Sequence, residues 1–94
     1  MIKTRLEEFN LYINVNNKDV AIINADPAFN EVYFHNLMDR RNNYVWYHIH
    51  PGEFKVIKRK NRVIIKNNDR QICWVDNNKI ILITGGPALH INID

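Results

Sequence analysis

The 94-residue sequence contains no serine, one cysteine, three glycines and three prolines. Each shortage excludes something. Without serine there is no serine nucleophile, and hydroxyl chemistry is left to Thr4, Thr84 and the tyrosines. Cys73 alone makes no internal disulfide, which points to a reducing, cytoplasmic setting. No apolar run approaches the roughly 18–20 residues of a membrane-spanning helix. Glu7 and Glu8 stand where a signal peptide needs its apolar stretch, so no membrane partner is expected. Neither G-x-x-x-x-G-K-[ST] nor G-x-G-x-x-G occurs, which removes the common phosphate cradles.

What is present is alternation. Phe9, Leu11, Ile13 and Val15 alternate with Asn10, Tyr12, Asn14 and Asn16, the period of a half-buried strand. Asn16-Asn17-Lys18-Asp19 reads as a tight turn into a strand over Val20–Asn24. Further strands are predicted over Glu31–Met38, Tyr44–His50, Phe54–Lys60, Arg62–Lys66, Gln71–Val75, Lys79–Thr84 and Leu89–Ile93. Turn formers separate them, among them Asp26-Pro27, Asp39–Asn43, Pro51-Gly52, Asn67-Asn68-Asp69 and Gly85-Gly86-Pro87. The expectation is an all-β, mostly antiparallel fold, a small β-barrel or sandwich forming one domain over residues 1–94. At most one or two short helices are allowed, at Ile2–Phe9, where Thr4 would cap with Glu7, and at Phe34–Arg41. No repeat, linker or low-complexity segment is visible. Trp46, Trp74 and Phe54 are assigned to the core, and Cys73, between Ile72 and Trp74, is read as a small buried hydrophobe.

Charge is unevenly spread. The formal net charge is +3, yet Lys55, Lys58, Arg59, Lys60, Arg62, Lys66 and Arg70 crowd one stretch against a single Asp69. Such asymmetry marks either a nucleic-acid or anion-binding face or a solubilising hairpin whose lysines discourage edge pairing. Arg40 and Arg41, in another turn, are candidates to enlarge it. Asparagine and isoleucine, both drawn from A/T-rich codons, dominate the composition and suit a phage or low-GC bacterial genome.

The most informative stretch is Tyr47-His48-Ile49-His50-Pro51-Gly52-Glu53. On a strand, His48 and His50 point to one face with Cα atoms roughly 6–7 Å apart, a spacing at which two imidazoles converge on a metal. Tyr44 and Trp46 share that face, whereas Val45, Tyr47 and Ile49 share the other. If the aliphatic face is the core, the histidines belong to an aromatic binding surface. If the aromatic face is the core, they are satisfied by hydrogen bonds inside it.

From His48 onward the chain resembles the cupins, whose first motif runs G-x5-H-x-H-x3,4-E-x6-G and whose second runs G-x5-P-x-G-x2-H-x3-N. The matching positions are His48, His50 and Glu53, then Gly85-Gly86, His90 and Asp94. The resemblance covers residues 44–94. It implies a β-barrel holding a divalent metal (zinc, iron, nickel or manganese) on His48, His50, His90 and Glu53, with Tyr44 and Trp46 lining the cavity. Glu53 arrives one residue early and His90 one residue late, so a three-histidine set fits better than four ligands. The same stretch also looks like the H-x-H-P core of the JAMM metalloproteases. There, however, the positions of the required serine and aspartate hold Lys58 and Asn61, which excludes that activity.

No paired carboxylates suggest acid–base catalysis: Asp26, Glu31, Asp39 and Asp76 are scattered among turns. Three functions remain. The first is a cupin-like protein holding a metal or small molecule. The second is a nucleic-acid-binding module using the basic stretch. The third is a small interaction or inhibitor protein, with a homodimer formed through β edges as the expected assembly.

Overall fold

The structure is a computed structural model that describes residues 1–41 and 44–93. Asn42 and Asn43, from the turn expected over 39–43, and Asp94, the last cupin position, lie outside the described residues. Among the described residues there are ten strands and no helix: β1 Ile2–Glu7, β2 Asn10–Val15, β3 Lys18–Asn24, β4 Val32–Asn36, β5 Tyr44–Tyr47, β6 Phe54–Lys58, β7 Val63–Asn67, β8 Arg70–Val75, β9 Lys79–Leu82 and β10 Leu89–Asn92. They form two five-stranded antiparallel meanders, ordered β1-β2-β3-β4-β5 and β10-β9-β8-β7-β6. The architecture is therefore a sandwich, and the barrel expected from the cupin resemblance is corrected: the sheets do not close on each other.

Both expected helices are corrected as well. Ile2, Thr4 and Leu6 alternate with Lys3, Arg5 and Glu7 and pair with β2 along six residues, so a neighbouring strand outweighs the Thr4–Glu7 capping pattern. Residues 34–41 continue β4 and then turn. The Asn36 side chain accepts from the Met38 N–H at 2.9 Å, and the Asp39 side chain accepts from Arg41 N–H at 2.9 Å.

One core lies between the sheets. Leu11, Ile13, Val15, Ile23, Val32 and Phe34 meet Val63, Ile65, Ile72, Cys73, Val75, Ile80 and Leu82, all buried. Each such aliphatic or aromatic side chain contributes about 1.5–3 kcal/mol when fully removed from water. Tyr47 crosses the interface and its Oη donates to the Ile72 carbonyl at 3.2 Å, while burial pushes its ionisation well above the usual tyrosine range. Among the described residues no helix is long and apolar enough to cross a membrane.

The two meanders are equivalent strand for strand, a repeat invisible in the sequence. An offset of 52 carries the pair Ile2↔Val15 onto Phe54↔Asn67, and Val15↔Lys18 onto Asn67↔Arg70. The irregularity after Ile13 recurs after Ile65. The bond from Asn16 N–H to Met1 O (2.9 Å) recurs from Asn68 N–H to Glu53 O (3.0 Å). An offset of 46 then carries Phe34↔Val45 onto Ile80↔Ile91, because the connection between the third and fourth strands is shorter in the second sheet. The bulge residues Val20 and Ile72 correspond too: their carbonyls accept from Leu37 (3.0 Å) and Ile83 (2.9 Å).

The turns after the second strand of each meander explain why asparagine replaces glycine here. Asn16 and Asn17 (φ 52° and 69°) and Asn68 and Asp69 (φ 49° and 62°) are left-handed at both central positions, as the type I′ hairpin requires. Glu8 is also left-handed, at φ 54°, in the turn between β1 and β2. It has neither glycine's freedom nor asparagine's tolerance of that backbone.

Asn67 occupies the position of Val15 in the other meander and is the one buried polar residue among the described residues. Its amide donates to the Gly52 carbonyl at 2.8 Å and accepts from the Gly52 N–H at 2.9 Å, tying β7 to the segment that joins the two sheets.

These local geometries set the expected stability of three variants. Glu8→Gly should raise unfolding free energy by about 0.5–1 kcal/mol, since relief of the left-handed strain exceeds the added chain entropy. Asn17→Gly, at an equally left-handed position, should change it less. Asn67→Val, which copies the equivalent residue, should cost about 1–3 kcal/mol by orphaning both Gly52 groups. Urea titration of the three variants measures all of these.

Candidate functional site

The histidine segment is not a strand throughout. β5 ends at Tyr47, and His48–Glu53 forms the crossover between the sheets. The expected extension of the strand to His50 is therefore corrected, because Pro51 and Gly52 turn the chain and β4 offers no ladder partner beyond Val32. His48 is exposed and its Nδ1 lies 3.2 Å from Glu31 Oε1, one pair beyond the last ladder rung, Val32↔Tyr47. The His50 side chain is exposed, and its carbonyl accepts from the Asn68 amide at 3.0 Å. Glu53 is exposed at the entry to β6. His90 stands on β10, opposite Ile81 on the outer face of the second sheet. The structure does not gather these four residues: among the described residues no three His, Cys, Asp or Glu side chains are placed to hold a metal ion.

Gly52 is constrained by packing rather than by a special backbone. A Cβ there would lie 3.0 Å from the Asn68 Cβ and 3.1 Å from its Cγ. The crossover thus sits flush against the hairpin turn between β7 and β8.

The expected core aromatics are corrected in part. Val45 and Tyr47 point inward, so Tyr44 and Trp46 point outward and line no interior cavity; they are 44% and 52% exposed. Tyr33 and His35 on β4 join them through the pairs Tyr33↔Trp46 and His35↔Tyr44. The rings touch: His35 stacks on Tyr44 with centroids 4.4 Å apart, and Tyr33 meets Tyr44 edge-on at 5.3 Å and Trp46 at 5.1 Å. His35 Nε2 is buried and has no hydrogen-bond partner among the described residues. Trp74 lies on the outer face of β8, flanked by the Arg62 guanidinium at 5.2 Å and the Lys79 ammonium at 5.8 Å. Phe54 alone of the three packs against the core. Tyr33 and His35 were missed as site residues because only the β4–β5 register brings them beside Tyr44 and Trp46.

The basic stretch splits between the ends of its hairpin. Lys55, Lys66 and Arg70 lie toward the β7–β8 turn, where Lys55 Nζ pairs with Asp69 Oδ1 at 2.7 Å and holds that carboxyl below its usual range. Lys58, Arg59, Lys60 and Arg62 surround the β6–β7 turn. They line a cleft of about 230 Å³ together with Met1, Ile2 and Asn77, and among the described residues none of the four is in an ion pair.

Topology then sorts the remaining charges. In a meander, successive turns fall at alternate ends. The contact of Met1 with Asn77 and the 58–62 cleft place residues 16–18, 37–41, 58–62 and 76–79 at one end of the sandwich. That end carries Lys18, Arg40, Arg41, Lys58, Arg59, Lys60, Arg62 and Lys79 against Asp39 and Asp76. The opposite end carries Glu7, Glu8, Asp26, Glu31, Glu53 and Asp69 against Lys55, Lys66 and Arg70. The molecule is electrically bipolar.

Cys73 is wholly buried, and burial pushes its thiol well above the ordinary range, which leaves it a core hydrophobe as expected. Asp26 and Asp76 accept from nearby backbone N–H groups, Ala28 at 2.9 Å and Asn78 at 2.7 Å, and so act as turn caps. No family model, curated protein or solved structure matches the chain, so the cupin resemblance finds no support beyond its motifs.

Because His48 and His50 are solvent-exposed and not gathered with His90, the double variant His48→Ala/His50→Ala should shift the thermal midpoint only slightly. The shift should be the same in zinc and in chelator. Differential scanning calorimetry in the two buffers provides the comparison, and a loss seen only with zinc would restore a metal site.

Proposed function

We propose that this protein is a nucleic-acid-binding module whose basic end takes the phosphate backbone. The observation that carries the reading is the cleft at the β6–β7 turn: four cationic side chains within five residues, none neutralised by an ion pair among the described residues, around one concavity. A cluster of unpaired like charges costs folding free energy through self-repulsion, and a polyanion relieves it. Nearby Lys18, Arg40 and Arg41 extend the positive end, while the acidic opposite end turns the molecule so that the cleft leads in any encounter with a polyanion. The metal-holding alternative has less support, since three of its residues lie on the crossover and the fourth on β10, and among the described residues no three such side chains gather.

The test is fluorescence anisotropy with labelled DNA and RNA across a salt series. Each phosphate contact should contribute about 0.7 (single strand) to 0.9 (duplex) to the slope of log K against log salt. Lys58→Glu with Arg59→Glu and Lys60→Glu should reduce affinity by at least about tenfold and lower that slope by about 2–3, with the thermal midpoint preserved. Arg62 is left in place because it packs over Trp74. Binding that is absent, or unchanged by the reversals, would overturn the assignment. Binding to polyglutamate in place of nucleic acid would transfer the basic end to an acidic protein partner.

A further inference from the structure

Resting on that reading, we infer that the nucleic acid is single-stranded and that its bases stack on Tyr44 and Trp46, on the outer face of edge strand β5. Two large rings that are about half exposed, with Tyr33 and His35 as their ladder neighbours on the same face, constitute a surface that water solvates poorly. Their support is rigid. Tyr33 and His35 pack against them from the neighbouring strand, so little side-chain freedom is lost when a planar group lands there. Position selects the occupant: β5 begins at the basic end, in the segment that follows Arg40 and Arg41, so phosphates held by that end would deliver the adjoining bases to Tyr44 first and Trp46 next. Glu31, beside His48 at the far end of the face, marks the limit of the path.

Geometry selects the strandedness. The Tyr44 and Trp46 ring centroids are 6.2 Å apart and inclined by 36°. Successive bases in a stacked strand are about 3.4 Å apart, so two neighbours can each cover one of these rings only when they have unstacked from each other. A duplex keeps its base faces inside the stack and offers none to a flat platform.

The experiment uses the full chain and three DNA probes of equal length: a mixed-sequence single strand, its duplex, and a single strand whose residues are all abasic. The base-bearing strand should bind at least about tenfold more tightly than the abasic one. Tyr44→Ala with Trp46→Ala should abolish that difference while leaving abasic affinity and the salt slope unchanged. As a second readout that does not depend on truncation, Trp74→Phe leaves Trp46 as the sole tryptophan, and its fluorescence should be quenched by the base-bearing strand but not by the abasic strand or duplex. Equal affinity of the wild-type chain for base-bearing and abasic strands, or unquenched Trp46, would overturn the stacking site and leave phosphate binding at the cleft intact. Failure to bind any of the three probes would overturn both readings together.

Discussion

Asn67 holds the two halves of this protein in their relation to each other. Its amide satisfies both backbone groups of Gly52 from inside the core, at the point where the chain leaves the first sheet for the second. A buried amide with both functions paired is stable there, and one with either function unpaired is not, so the site specifies a single geometry for the crossover. Asn68 adds to it by donating to the His50 carbonyl and by filling the space a side chain at residue 52 would need. The second meander is thereby set with its β7–β8 turn against the crossover and its β6–β7 turn at the far end.

The charge distribution depends on that setting. Within the sequence, the acidic and basic residues are interspersed along much of the chain. The meander sends alternate turns to opposite ends, and the crossover determines that the basic turns of the second sheet join Lys18, Arg40 and Arg41 rather than Glu7 and Glu8. Exposed ion pairs such as Arg5 with Asp19 (2.9 Å) and Lys55 with Asp69 neutralise charge outside residues 58–62 and contribute little to stability individually. Among the described residues, the cluster at residues 58–62 is left without an ion pair.

Much of the fold was legible because period-two alternation is a strong signal where one face is buried. Leu11, Ile13 and Val15 against Asn10, Tyr12 and Asn14 located β2 to within a residue, and the paired asparagines located its turn. The signal failed where alternation outran its pairing partner. Residues 44–50 alternate without interruption, yet β4 supplies rungs only from His35 to Val32, so the histidines fell on the crossover and the metal geometry argued for them lost its strand. It failed in the opposite direction at Ile2–Glu7, where a Thr-x-x-Glu pattern suggested a cap although Ile2, Thr4 and Leu6 already alternated. The repeat escaped notice for a different reason. At offsets of 52 and 46, residues 1–25 and 32–47 coincide in identity with their counterparts only at Lys3/Lys55, Ile13/Ile65 and Asn16/Asn68. What recurs is register, bulge position and turn handedness, properties of the backbone that many side chains satisfy.

That freedom explains how equivalent meanders present different surfaces. The central rung of the first outer face runs Arg5, Tyr12, Ile22, His35, Tyr44, and the corresponding rung of the second runs Ile57, Ile64, Trp74, Ile81, His90. In the first, Arg5 covers Tyr12 at 4.2 Å, and the aromatic weight is displaced to the edge, where Tyr44 and Trp46 remain open to solvent. In the second, the large ring sits at the centre, between Arg62 and Lys79, and Ile81 beside it is 4% exposed. The same scaffold therefore closes the centre of one outer face with cations and leaves an aromatic edge of the other uncovered. The exposed rings Tyr44 and Trp46 lie on the first sheet and the 58–62 cations on the second, so under the proposed reading a ligand that used both would be long, anionic and flexible, which describes a single strand better than a compact molecule.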